Sequence, residues 1–134
     1  MEQTYVMLKP DAVRRGLIGT IVTRLEQKGF IIKAMHMRLL DENILREHYA
    51  HLCDRPFFPE LIAYMTSGPV VAMIVEGNDV INAVRRIVGA TKTEEAAAGT
   101  IRGDFGNTTT ENLIHASDAV ETAEAEIARF FSDD

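Results

Sequence analysis

Val70-Val71-Ala72-Met73-Ile74-Val75 is an uncharged run in which four of six residues are β-branched, set between the turn residues Ser67-Gly68-Pro69 and Gly77-Asn78-Asp79. A run of that kind suits a strand covered on both faces, and so a central one. Toward the C-terminus, Val80, Ile81, Val84, Ile87 and Val88 repeat at helical spacing, with Gly89 placed as the stop. Ala90 to Thr110 lacks sustained periodicity and reads as a long loop, a feature usually tied to function. A last strand and helix are expected from about Leu113 to Phe131. Toward the N-terminus, Phe57, Leu61 and Tyr64 form a helical stripe with Pro59 near its first turn. Before it comes a polar helix from about Glu42 to Leu52. Phe30 to Leu40 is a long strand whose polar residues slip phase, Lys33 on one set of alternate positions and His36 and Arg38 on the other, as a bulge or a covered edge would produce. Leu17, Ile18, Ile21, Val22 and Leu25 make a helix ended by Gly29, and Thr4 to Leu8 is a strand that delivers Lys9 to its end before Pro10. The order contains two βαβ-like units with no linker. We therefore expect one domain over residues 1–134, an α/β (α+β) chain folded as a ferredoxin-like βαββαβ sandwich with a four-stranded antiparallel sheet covered by helices.

A chain of 134 residues with 46% hydrophobic and 25% charged residues can bury a real core without disulfides. Its net charge of −6 argues against a general nucleic-acid surface. Cys53 is alone, which fits a reducing compartment, and the N-terminus has neither a basic segment nor a long apolar one. The expected location is the cytoplasm, with no membrane partner.

Within the last strand and helix, Asn112-Leu113-Ile114-His115-Ala116-Ser117-Asp118 brings one histidine to the helix start. Asp118 is placed as an N-cap with Glu121 completing a capping box, and Val120, Ala123, Ile127 and Phe131 share a face. An anion can dock at such a helix start. An unperturbed histidine titrates near ~6.5, so its uncharged, nucleophilic form prevails at neutral pH.

NLIHASD resembles the N-x-x-H-[GA]-S-D signature of nucleoside diphosphate kinases. Val6-Met7-Leu8-Lys9-Pro10-Asp11, Arg55-Pro56-Phe57-Phe58, Ser67-Gly68-Pro69-Val70, Gly89-Ala90-Thr91 and Gly99-Thr100-Ile101-Arg102-Gly103-Asp104-Phe105 are similar to that family's other landmarks, in its order. The resemblance spans essentially the whole chain and implies the same fold. It also implies transfer of a γ-phosphoryl group from ATP or another nucleoside triphosphate to a diphosphate. His115 would carry the phosphate in a ping-pong scheme, with Mg²⁺ bridging nucleotide phosphates. Phosphoryl transfer needs cations and hydrogen-bond donors around the nucleophile. By resemblance, Arg85, Thr91 and Arg102 hold the phosphates, while Lys9 and Asn112 meet the sugar hydroxyls. Tyr49 and Glu126 orient the site, the Glu accepting from the histidine ring. Ser117 either supplements Glu126 or helps to cap the helix. Phe57 and Leu61, one turn apart, are expected to flank a base slot, and stacking there would tolerate any base.

Three other patterns are set aside. Asp104-Phe105-Gly106 lacks the companion motifs of protein kinases. His48, His51 and Cys53 lack a fourth zinc ligand and read as a surface helix. The RNA-binding variant of the fold lacks its aromatic pattern. The remaining rival is a non-catalytic nucleotide sensor on the same fold. Two departures from the family pattern are Ala116 for the usual glycine and Ala98 where hexameric members often have proline. Ala98 and the stop at Asp134 leave the expected dimer-based homo-oligomer open between tetramer and hexamer, with the strand from Phe30 contributing.

Overall fold

A computed structural model describes residues 1–131; the stop at Asp134 lies outside them. Strand β1 (Glu2–Leu8) is followed by helices α1 (Pro10–Arg14) and α2 (Ile18–Gln27), then β2 (Ile31–Arg38). Helices α3 (Glu42–His48) and α4 (Phe58–Met65) lead to β3 (Val70–Gly77), and α5 (Val80–Val88), α6 (Ile101–Phe105), β4 (Ile114–Ala116) and α7 (Val120–Phe131) complete the order. The sheet has four strands in the order β2-β3-β1-β4, and each neighbouring pair is antiparallel. This is the expected βαββαβ arrangement.

Residues 5–8 of β1 and 70–75 of β3 are apolar, and helices cover both faces of these central strands. Val6 and Leu8 of β1, with Val71, Met73 and Val75 of β3, meet Ile21 and Leu25 of α2 and Val80, Val84 and Val88 of α5. On the opposite face Tyr5, Met7, Val70 and Ala72 meet Leu45 of α3, Met65 of α4 and Phe130 of α7. Gly89 ends α5 at φ +92°, and a Cβ there would lie 2.5 Å from Thr100 Oγ1, so glycine is required on both counts.

Several boundaries depart from expectation. The register of β2 on β3 shifts between Ile32 and Ala34, so Lys33 is the extra residue behind the phase slip. The helix expected from Glu42 to Leu52 ends at His48, and Ala50–Leu52 tightens into a 3₁₀ turn. The presumed loop from Ala90 to Thr110 contains a 3₁₀ turn at Thr93–Glu95 and helix α6, capped by the Thr100 side chain accepting from Gly103 N–H at 3.0 Å. Five residues of α6 are too few to show a period. Asp118 is not the cap of α7: the helix starts at Val120, and the Ala119 carbonyl accepts from Ala123 N–H, so Asp118 stands one residue too early.

Candidate active site

The end of β1, the start of α4 and the segment entering β4 converge on one cleft of about 400 Å³. Lys9, Tyr49, Phe57, Leu61, Thr91 and Asn112, all selected from sequence, line it together. Phe57 is 48% exposed, so its ring face is available. Phe57 and Leu61 both belong to the start of α4 and line one flank; Thr109 and Thr110 contribute to the rest, and neither stood out in the sequence.

Lys9 is buried, and its Nζ donates to Asn112 Oδ1 at 2.8 Å. Asn112 Nδ2 in turn donates to the Thr91 carbonyl at 3.3 Å. Burial lowers the Lys9 pKa to about 8; Arg102 adds to the drop and Asp11 opposes it. Leu113 has φ +75°, and Ile114 N–H donates to the Asn112 carbonyl at 2.9 Å, which makes a γ-turn of the rare positive-φ kind. Lys9 N–H donates to the Leu113 carbonyl at 2.8 Å and ties this strained turn to the end of β1.

Arg102 is 7% exposed and braces three carbonyls: Nε donates to Asn112, Nη1 to Gly89 and Nη2 to Ile114. Burial, and then the neighbouring Arg85 charge, lower its pKa to about 10. Arg85 lies on the exposed side of α5, with Nη1 donating to the Ala116 carbonyl at 3.1 Å.

His115 sits in the middle of β4, with its side chain 24% exposed. Its Nε2 lies 2.9 and 2.8 Å from the two oxygens of Glu126, which is 5% exposed, and Ser117 Oγ donates to Glu126 Oε1 at 2.6 Å. Burial works to raise the Glu126 pKa, but the His115 hydrogen bond and charge, the Ser117 hydrogen bond and His48 outweigh it and hold the carboxyl below its ordinary value. An ionised carboxylate only accepts, so Nε2 must carry the proton, and in the neutral ring the lone pair lies on Nδ1. Of the two roles open to Ser117, support of Glu126 is the one with a hydrogen bond.

His48 corrects the surface reading of α3, because it is 7% exposed and meets the His115 ring edge-on, with centroids 4.9 Å apart at 84°. The signal was present in the sequence: Leu45, His48 and Leu52 recur at i, i+3 and i+7 on one face. Tyr49 is also buried, and burial followed by the Glu126 charge raises its pKa well above the usual phenol value. His48, His115 and Glu126 have donor atoms within 4.8 Å of one another, but those atoms are engaged with each other, with Ser117 and with the Arg129 guanidinium. Asp104, of the rejected kinase-like triplet, pairs with Arg24 at 2.7 Å and accepts from Gly99 N–H, a structural duty.

The sequence matches the family description "Nucleoside diphosphate kinase" over residues 2–134. The chain belongs to the nucleoside diphosphate kinase family. It is 54% identical over 131 residues to the nucleoside diphosphate kinase of Exiguobacterium sibiricum, covering 98% of this chain and 95% of that one. It is 54% identical over 134 residues to the Archaeoglobus fulgidus enzyme, covering 100% and 89%. Among solved structures, the Halobacterium salinarum nucleoside diphosphate kinase in complex with CDP superposes with a TM-score of 0.95 at 52% identity, covering 98% of this chain and 88% of that one. The apo nucleoside diphosphate kinase from Encephalitozoon cuniculi gives 0.96 at 44% identity, covering 100% and 91%. The activity is accordingly that of a nucleoside diphosphate kinase, transfer of the terminal phosphoryl group of a nucleoside triphosphate to a nucleoside diphosphate. Among the described residues no helix is long and apolar enough to cross a membrane.

Proposed function

We propose that the transfer runs in two halves through a phosphohistidine on His115 Nδ1, with one cleft serving donor and acceptor in turn. The observation that carries this reading is the Glu126 carboxylate bonded to Nε2, which leaves the Nδ1 lone pair for chemistry. In the first half the lone pair attacks the γ-phosphorus; a P–N bond forms, the bond to the bridging oxygen breaks, and the diphosphate leaves with that electron pair. The ring becomes cationic, and the Glu126 charge offsets it through Nε2–H. In the second half a terminal oxygen of the acceptor diphosphate attacks phosphorus, and the P–N pair returns to Nδ1.

In this reading Phe57 and Leu61 take the base, Lys9 and Asn112 the sugar hydroxyls, and Arg85, Thr91 and Arg102 the phosphates. Tyr49, Ser117 and Glu126 hold the geometry. Base stacking on Phe57 is indifferent to base identity. The cations Lys9, Arg85 and Arg102 fit anionic phosphates, and Glu60 is the one carboxylate among the residues lining this cleft, too few to cage a lone cation. That donor set fits Mg²⁺ carried on the phosphates, where it would neutralise their charge.

We also read the protein as a cytoplasmic homo-oligomer built from dimers through β2. That edge strand exposes Met35 at 53% and Met37 at 55%, with Leu39 beyond its end at 68%, an apolar stripe suited to a second copy. Light scattering of Met37→Glu against the wild type tests this.

Incubation with γ-labelled ATP tests the chemistry. The expected result is an acid-labile, alkali-stable label on the wild type, discharged by a diphosphate and lost in His115→Ala. Turnover with no labelled protein would mean direct transfer instead, and binding without turnover would mark a sensor.

A further inference from the structure

We propose that Arg129 and His48 form a positioning pair that reserves the Glu126 carboxylate for His115. The inference rests on the phosphohistidine reading above and assigns a task to two residues outside the nucleotide cleft.

Arg129 Nη1 lies 3.0 Å from His48 Nδ1. A guanidinium can only donate, so His48 Nδ1 accepts and the His48 proton resides on Nε2. This matters because the same Nδ1 is 3.7 Å from Glu126 Oε2, the oxygen that is 2.8 Å from His115 Nε2. With Nδ1 occupied by the Arg129 donor, His48 has no N–H to offer Glu126. Without that donor, the neutral ring is free to carry its proton on Nδ1 instead, and that N–H would compete with His115 for one carboxylate.

The groups facing His48 reinforce this. His115 meets it from β4, Glu126 and Arg129 from α7, Lys9 acts from the end of β1, and Tyr49 packs beside it on its own segment at 4.6 Å. Burial, then His115, then Arg129 and Lys9 lower the His48 pKa to about 3, against the opposing pull of Glu126. Phe130 seals another side, its ring edge-on at 5.1 Å. Arg129 is in turn steadied by Glu47, whose Oε2 is 3.6 Å from Arg129 Nε. A hollow lined by His48, His51, Asp118, Glu121, Glu126 and Arg129 lies on this side of α7, so Arg129 reaches His48 from solvent without crossing the cleft that holds Phe57 and Asn112.

The test compares wild type, Arg129→Leu and Arg129→Lys. Nitrogen NMR of the wild-type imidazoles should show His48 neutral and protonated on Nε2 from pH 8.5 down to pH 5.5. Arg129→Leu leaves the burial and the His115 ring that keep His48 neutral, so what the variant frees is the choice of tautomer. The kcat of Arg129→Leu should therefore fall roughly tenfold, as one charge-assisted hydrogen bond to Glu126 is shared between two rings, and nitrogen NMR of the variant should find the His48 proton on Nδ1. The nucleotide KM should stay unchanged, and Arg129→Lys, which still donates, should restore most of the loss. A wild-type His48 that gains a proton on Nδ1 in this range overturns the proposal whether or not the variants fold. So does an Arg129→Leu variant whose His48 proton stays on Nε2, or whose loss is confined to KM or absent. If wild-type His115 takes no label, the phosphohistidine reading itself has failed; a labelled wild type with an indifferent Arg129→Leu defeats only the pairing.

Discussion

Replacing Glu126 by glutamine is the sharpest probe of the hydrogen-bonded core of the site. The side chain is almost isosteric and 5% exposed, so the fold should accept it. Two donors address the carboxylate: Ser117 Oγ at 2.6 Å and His115 Nε2 at 2.8 and 2.9 Å. A hydroxyl can also accept, so the amide N–H₂ can turn to Ser117 while the amide oxygen keeps its place 2.8 Å from His115 Nε2, whose 2.9 Å contact to the other oxygen is lost. The proton then stays on Nε2, but a charge-assisted hydrogen bond becomes a neutral one. Such bonds differ by about 1–1.5 kcal/mol, or roughly tenfold in rate if the difference is felt as the ring turns cationic. Rapid-quench measurement of His115 phosphorylation should show that drop in the maximal rate with the nucleotide KM unchanged. Glu126→Ala should fare worse, since it strands two donors at about 1–3 kcal/mol each in stability as well as activity. A Gln variant that phosphorylates at the wild-type rate, or loses only KM, would refute the role given to the carboxylate.

Phe57→Ala removes a ring already about half in water, so the melting temperature should hardly move, whereas affinity should fall by about 1–3 kcal/mol for adenine, guanine, cytosine and uracil nucleotides alike. Isothermal titration with the four diphosphates decides it, and a loss confined to one base would sink the stacking account. For Lys9, whose pKa is lowered to about 8, the charged form that meets the nucleotide is lost as pH rises, so kcat/KM should decline above about pH 8. His48 is neutral in the fold down to about pH 3, whereas an unfolded histidine gains its proton near ~6.5. Its contribution to stability is therefore complete above ~6.5 and is lost as pH falls from there toward 3, by roughly 1.4 kcal/mol per pH unit. Denaturation of His48→Gln across that range should give a shallower slope, and parallel slopes would contradict the assignment.

The strand and helix pattern was legible because residues 5–8 and 70–75 are unbroken apolar runs and α5 repeats its apolar residues at helical spacing. The bulge at Lys33 was visible as a phase error before its place in the register was known. What escaped notice depended on contacts distant in sequence or on elements too short to repeat. Helix α6 is one turn plus its cap, and the cap of α7 falls on Ala119, whose side chain has no acceptor to act as a sequence signal. His48 shares a face with Leu45 and Leu52, but the polar residues around it favour a surface reading, and its partners on α7 lie 78 and 81 positions away. The roles of Arg85 and Arg102 came from resemblance, since an arginine alone says nothing of what it holds.

Arg102 has five N–H groups, and three are committed to main-chain oxygens of Gly89, Asn112 and Ile114. One hydrogen on each terminal nitrogen remains, so in the reading proposed above an arriving phosphate would be met without releasing the carbonyls already held. Its rotamer is frozen before any guest appears, which removes an ordering penalty from association. A lysine at this place would keep the charge but could not span all three carbonyls, and the backbone segments they belong to would lose their common brace.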